Sequence, residues 1–282
     1  MKRFFAIPAL AAAFLSVFSC GTAKQAADGK TGFPADRQGG KIAIVAHRGF
    51  WDCEAAGYTQ NSIASLRCAQ ENHLWGSEFD IHVTSDDEVI VNHDNNIQGV
   101  VIWDNPLSTF KAMTLKNGEK PSTLDEYLTQ GEKSHTMLVC EFKKQKNNQR
   151  ADVLLEKTVE LLRAHNLFTP SRVVFITFDK YLCDRIAKEY PQFVNQYLSG
   201  DIAPAKLAAQ GINGIDYEKK VFKLFPGYVE EAHNLGMSVN AWTVNDEETM
   251  KSLFDLGINQ LTTNDPLLAR KLLGKKEYKG RK

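Results

Sequence analysis

From residue 41 onward, short apolar runs alternate again and again with stretches of helical spacing, and this alternation constrains the fold more than any other feature. The runs lie at 42–46, 78–84, 89–92, 137–142, 173–178, 193–198, 212–217, 239–243 and 258–262. Helical stretches fall near 61–73, 122–130, 150–166, 180–190, 203–210, 226–236, 246–256 and 265–273. Strand, helix, strand repeated this often predicts a parallel sheet. The runs are almost continuously apolar, as strands covered on both faces must be. No G-x-G-x-x-G follows the first run, which argues against a dinucleotide-binding sheet. Polar and charged residues gather instead at the C-terminal ends of several runs, where a TIM barrel keeps its chemistry. The expected fold is α/β, a TIM (β/α)8 barrel over residues 41–275.

Nine runs compete for eight places, and one junction accounts for the surplus. Only Ser85-Asp86-Asp87-Glu88 separates the second run from the third, too little for a helix. A small hairpin inserted after strand two is expected there, centred between Asp86 and Asp87. That centre places His93 opposite Asp80 and near Glu78. The segment after Asp94 (NNIQGVVIWDNPLSTF) is expected to lie over the same region.

The first residues read as a leader. Lys2 and Arg3 precede an apolar stretch over 4–18 that only Pro8 and Ser16 interrupt. This is the pattern of a secretory signal over 1–19, shorter than the roughly 20 residues of a membrane span. Cys20 follows Ser19, as in a bacterial lipobox, so lipidation of Cys20 is expected; plain secretion is the alternative. Residues 20–40 are glycine-rich and polar, a flexible linker. Export across the inner membrane and a lipid anchor in the cell envelope follow, with no other membrane attachment. Residues 276–282 form a basic tail. Lys+Arg and Asp+Glu are both 34, so no basic surface suggests nucleic acid as a partner. Cys53, Cys68, Cys140 and Cys183 form no C-x-x-C pair, and export permits disulfides without requiring them.

The candidate chemistry sits at strand ends. His47-Arg48-Gly49 follows the first run and offers an imidazole, a planar phosphate-binding fork and a sharp turn. Strand alternation points Glu78 and Asp80 to one face. Two inward carboxylates need a hard cation with oxygen ligands, or ion pairs to Arg48 or Lys143. His93-Asp94 supplies a second imidazole at the hairpin end. Glu141 and Lys143 share a face by the same alternation, as a third ligand and a phosphate contact or as a buried ion pair. Trp242 ends a late run, as a wall of a substrate pocket or as core.

In this order, His47-Arg48-Gly49, Asn61-Ser62, Glu78-x-Asp80, His93-Asp94, Glu141-x-Lys143 and Trp242-Thr243 resemble the motifs of the glycerophosphodiester phosphodiesterase family, over most of residues 42–266. The resemblance implies a TIM barrel and a divalent metal, Ca2+ or Mg2+. The implied reaction cleaves a small-molecule glycerophosphodiester to glycerol phosphate and an alcohol. It implies Glu78, Asp80 and Glu141 as metal ligands and His47 and His93 as the acid/base pair. Arg48, Lys143, Trp242 and Asn61 fall to substrate binding. Gln60 stands where the family has Glu, and Thr263-Asn264-Asp265 is one residue longer than the family's Thr-Asp. A barrel phosphodiesterase acting on intact phospholipid, and a non-catalytic lipoprotein that binds phosphate esters, share part of this pattern.

Overall fold

The computed structural model describes Met1 and residues 42–279, with side chains through Gly274. The leader, Cys20, the linker and residues 280–282 lie outside the described residues. Along the chain the strands are β1 (Ala43–Ala46), β2 (Gly76–Val83), β3 (Val89–Val91), β4 (Asn96–Ile97), β5 (Val100–Val101), β6 (Met137–Phe142), β7 (Val173–Thr177), β8 (Asn195–Tyr197), β9 (Gly214–Glu218), β10 (Ser238–Trp242) and β11 (Gln260–Thr263). The helices are α1 (Ile63–Glu71), α2 (Leu107–Lys111), α3 (Leu124–Gly131), α4 (Asn148–Ala164), α5 (Lys180–Glu189), α6 (Pro204–Ala208), α7 (Lys219–Leu224), α8 (Gly227–Asn234), α9 (Glu247–Leu256) and α10 (Pro266–Lys279). The first part of the basic tail therefore continues α10.

The eight parallel strands run β1-β11-β10-β9-β8-β7-β6-β2, and β2 returns to pair with β1, closing the barrel. This is the expected TIM barrel. Its outer faces carry Leu, Ile, Val and Phe against the helices in two large apolar clusters. The interior is divided. Ala43, Val45, Met137, Val139, Val174 and Ile176 fill one side. Gln196, Asp216, Asn240 and Gln260, all buried, occupy the other. Gln196 donates to Gln260 at 2.8 Å and to Ser238 at 3.0 Å. This crossing fits because position 214 is glycine: a Cβ there would stand 2.6 Å from Gln196 Cγ and 2.4 Å from Ser238 Oγ. Hydrophilic chains can pack inside a barrel when they bond to one another.

The helix starts follow local chemistry. Ser62 caps α1 in a reciprocal box with Ser65, and Thr123 caps α3 with Glu126. On the outer surface His165 clasps α3, its Nε2 2.9 Å from Asp125 and its Nδ1 2.6 Å from Glu132. Burial pulls this imidazole's pKa down, but the two carboxylates outweigh it, so the net shift is upward. A raised folded pKa stabilises the fold fully below the unfolded value of about 6.5 and loses that effect as pH rises through the folded one. His165→Gln is therefore expected to destabilise the protein near pH 5.5 and much less near pH 9, by urea titration at each pH; an equal loss at both would refute the clasp.

β3 pairs antiparallel with β2, so the expected hairpin is present, but its register differs by one. The structure pairs Ile81 with Val91 and Val83 with Val89, and Asn92 N–H donates to Asp80 O at 3.0 Å. Asp80 thus faces Asn92, not His93. Thr84 N–H reaches Glu88 O at 2.9 Å around a loop of Ser85, Asp86 and Asp87, with Asp87 left-handed at φ 64°. A three-residue loop ending in a left-handed residue moves the centre onto Asp86.

Candidate active site

The site begins with backbone that the sequence forces into unusual shapes. Arg48 is left-handed at φ 56° and Gly49 follows at φ 78°. A Cβ on Gly49 would lie 2.2 Å from Ser65 Oγ, so only glycine lets the chain turn here against α1. The turn leaves His47 at the barrel rim and sends Arg48 N–H onto Glu78 Oε2 at 2.6 Å. Asn61, also left-handed at φ 51°, clamps Asp80 at both ends. Its Nδ2 donates to Asp80 Oδ2 at 2.8 Å, and its Oδ1 accepts from Asp80 N–H at 3.1 Å. Asn61 is buried and its amide is committed behind Asp80. Both bonds fix Asp80, so Asn61 positions that carboxylate.

Glu78, Asp80 and Glu141 converge as expected. Each offers an oxygen within 4.8 Å of the others, and all three are buried. Asp80 and Glu141 are register partners on β2 and β6. Lys143 Nζ lies 2.7 Å from Glu141 Oε1 and 3.3 Å from Asp80 Oδ1. These are ion-pair contacts without the directionality of a hydrogen bond, because both oxygens, like Glu78 Oε1, lack a hydrogen-bond partner. Arg48 Nε stands 3.9 Å from Asp80 Oδ2, and its Nη1 donates to Gln60 Oε1 at 2.7 Å. Gln60 therefore steers the guanidinium. Of the two readings the sequence leaves as alternatives, the ion pair to Lys143 is present, and the same three carboxylates are near enough to one another to hold a metal ion.

The electrostatics follow from burial. Burial, then the charges of Asp80 and Glu141, drives Glu78 well above the carboxylate range. Burial and Asp80 push Glu141 up to about 8. For Asp80 burial acts upward, but Lys143, His93, Asn61 and Arg48 outweigh it and hold it low. Burial lowers Lys143, and Glu141 and Asp80 more than reverse this. If all three were ionised, three carboxylates against two fixed cations would leave one surplus negative charge, which is why Glu78 and Glu141 hold on to protons. Desolvated charge of this kind is costly unless a cation enters. A divalent ion fits the donor set: hard oxygens, several without partners, in one buried cluster.

Two imidazoles face this cluster. His47 Nδ1 lies 2.8 Å from Asn264 Oδ1, which also accepts from Trp51 Nε1–H at 3.2 Å. The indole can only donate, so this Asn264 atom is the oxygen and His47 carries its proton on Nδ1. Nε2 is left with the lone pair. Burial and Arg48 lower the His47 pKa to about 4. His93 Nδ1 is 2.7 Å from Asp94 Oδ1, and burial lowers its pKa as well. The rings are near enough for their charges to interact. Trp242 packs on the apolar interior cluster, donates to Asp216 O at 2.9 Å and meets Phe178 edge-on at 5.5 Å. Phe178 is 39% exposed, so the pair forms an aromatic wall that is both core and rim.

Three residues escaped the sequence reading. His82 is the next inward residue after Asp80, and its Nε2 donates to His93 O at 3.2 Å. Alternation along β2 could have found it. Asn264 is the additional residue of the Thr263-Asn264-Asp265 segment. Phe178 carries no signal beyond its place after β7. The insertion after Asp94 packs Ile97, Ile102 and Phe110 on Ile90, which pairs with His82 and shares its face.

Three buried acids beside two imidazoles, Arg48 and Lys143, at the mouth of a closed parallel barrel, are the arrangement of a hydrolase for phosphate esters. The chain belongs to the glycerophosphoryl diester phosphodiesterase family, whose profile matches residues 47–268. The glycerophosphodiester phosphodiesterase of Caldanaerobacter subterraneus subsp. tengcongensis is 24% identical over 80% of this chain and 95% of its own length. A crystal structure of a glycerophosphodiester phosphodiesterase from Parabacteroides distasonis is 34% identical, with TM-score 0.81, covering 84% of this chain and 99% of that one. An Oleispira antarctica phosphodiesterase, solved with the product sn-glycerol-3-phosphate, shares the fold at TM-score 0.72 and 19% identity, over 82% of this chain and 96% of that one.

Proposed function

We propose that this protein hydrolyses glycerophosphodiesters to glycerol phosphate and an alcohol, with Glu78, Asp80 and Glu141 holding Ca2+ or Mg2+. The convergence of three buried carboxylates, outnumbering the cations that pair with them, beside two imidazoles and Lys143, carries the reading. When bound, the ion supplies Lewis-acid stabilisation of phosphoryl oxygen charge. It would also turn the surplus negative charge of the site into one positive charge, matching the single charge of a phosphodiester.

Arg48 and Lys143 flank the cluster and stabilise charge that spreads onto phosphoryl oxygens. His47, neutral with a free Nε2, is suited to take a proton from the nucleophile. His93, its ring oriented by Asp94 on Nδ1, is assigned the protonation of the leaving oxygen. The nucleophile is a neighbouring substrate hydroxyl or water. Phe178 and Trp242 bound the apolar side of the pocket.

The test is turnover by the full chain, with each divalent ion, of glycerophosphocholine, glycerophosphoethanolamine, glycerophosphoglycerol and glycerophosphoinositol. Glycerol phosphate and free alcohol are expected. Release of head groups only from intact phospholipid would favour the phospholipase alternative, and metal binding without turnover a binding lipoprotein. Asn264→Leu removes the acceptor that fixes the His47 tautomer. It is expected to lower kcat roughly 10- to 100-fold, the usual cost of losing an outer orienting partner, with KM little changed. Equal loss in KM instead would place Asn264 in substrate binding.

Export and anchoring complete the proposal, supported by the pattern of residues 1–20. Among the described residues no helix is long and apolar enough to cross a membrane. Fatty-acid labelling in a bacterial host is expected to mark the chain and to fail in Cys20→Ser; equal labelling of both would remove the anchor.

A further inference from the structure

Four thiols lie among the described residues, and none is bonded to another. Cys140, on β6, and Cys183, on α5, are buried apart, the latter with its sulfur 3.5 Å from Asn195 Oδ1. Cys53 and Cys68 are placed differently. Cys53 is half-buried in the segment joining β1 to α1, and Cys68 is buried on α1. Both belong to one small apolar cluster with Phe50, Ala56 and Ala64. The Cys53 thiol donates to Phe50 O at 3.3 Å, and Cys53 is close enough to Cys68 to raise its thiol further above the ordinary range. The two side chains therefore share one small apolar cluster, Cys68 from α1 and Cys53 from the stretch of chain that leads from β1 to α1.

That stretch matters because of what it carries. It starts at His47 and Arg48 and ends at Asn61, the residue that clamps Asp80. Left-handed residues sit at both ends, at Arg48 and Asn61. Between them the chain is pinned to α1 chiefly by Phe50 N–H on Ser65 O at 2.9 Å and by Cys53 itself. Packing of two free thiols adds little at such a point. A covalent bond adds much more, because it removes freedom from the unfolded chain. If the leader directs export, the protein folds where disulfides persist.

We infer that Cys53 and Cys68 are a disulfide-forming pair, and that their bond staples the segment bearing His47 and Arg48 to α1. The oxidant is a low-molecular-weight disulfide of the oxidised glutathione type. The Cys53 thiolate, the more accessible, attacks one of its sulfurs and releases the first glutathione thiol. The Cys68 thiolate then attacks the Cys53 sulfur and releases the second. Two protons and two electrons leave the protein thiols, the S–S bond forms, and the oxidant becomes two thiols. Burial and the contact with Cys53 push the Cys68 thiol up to about 12, so the second attack is slow in the folded chain and faster before α1 packs.

The test is disulfide mapping of the full chain, refolded with and without oxidised glutathione, with free thiols alkylated before unfolding. In the oxidised sample a Cys53–Cys68 linked peptide is expected, with Cys140 and Cys183 alkylated only after unfolding. The oxidised form is expected to melt about 5 to 10 °C above the reduced form, as a closed loop of this size implies. Cys53→Ser keeps the hydrogen bond to Phe50 O and the fold. It and Cys68→Ser are each expected to abolish both the linked peptide and the redox dependence of melting. A stable glutathione adduct on Cys53 with Cys68 still free would overturn the inference. So would linkage of Cys53 to Cys140 or Cys183, or equal melting of the oxidised and reduced forms.

Discussion

Stripping the full chain of divalent ions with EDTA is expected to abolish diester hydrolysis, and calcium or magnesium to restore it. The cause is that Glu78, Asp80 and Glu141 can all ionise only around an added cation, since Lys143 and Arg48 offset three carboxylates only in part. Without an ion, Glu78 and Glu141 retain protons and the phosphoryl charge has no central counter-charge. Glu78→Gln keeps the shape and removes one ligand charge. It is expected to lower kcat/KM at least about a hundredfold, in the range of losing a transition-state electrostatic partner. The same change is expected to raise the melting temperature of the ion-free protein, because a neutral amide is easier to bury than a carboxylate. A merely structural Glu78 would do the opposite on both counts.

The pH dependence of the ion-free protein has a definite sign. Glu141 is raised to about 8 and Glu78 is raised as well, from an ordinary 4.5. The folded state then holds protons that the unfolded chain has released. Stability from these groups is full below about 4.5 and is lost as pH rises through about 8. Saturating calcium is expected to flatten that slope, by urea titration between those limits. Full activity after exhaustive chelation would take the ion out of the mechanism.

His47→Ala and His93→Ala are each expected to fold normally and to lose at least roughly a hundredfold in rate, the usual contribution of an acid or base. The side chain of His93 makes one protein contact, to Asp94 beside it, while the carbonyl that accepts from His82 belongs to the backbone and survives substitution. His47 is held by Asn264, and its removal leaves a small polar gap at the rim. The two losses are not expected to add, since they serve one proton relay. Activity within tenfold of wild type in either variant would contradict the assignment.

Much of this was legible in the sequence because a parallel barrel writes itself plainly. Each barrel strand is buried on both faces, so 137–142 and 173–177 stand out as apolar runs. Inward carboxylates break such runs conspicuously, as Glu78, Asp80 and Glu141 do. Short elements leave no comparable trace: α2, α7 and the β4–β5 hairpin are too brief to show a period. The hairpin register depends on whether two or three residues turn, which the left-handed Asp87 decides. Asn61 reads as a substrate contact from its place in the motif. Only the geometry shows both ends of its amide spent on Asp80. Asn264 looks like an insertion in sequence, and its purpose appears only when β11 returns beside β1 and brings it to His47.

Crystals of the full chain grown with calcium, with the ion located by its anomalous scattering, bear most directly on how this mouth works. One peak is expected, about 2.3 to 2.6 Å from oxygens of Glu78, Asp80 and Glu141, with Lys143 and both imidazoles facing the open side. Calcium bound elsewhere, or a Glu141–Lys143 pair that closes over the cluster and leaves it ion-free at saturating calcium, would contradict it.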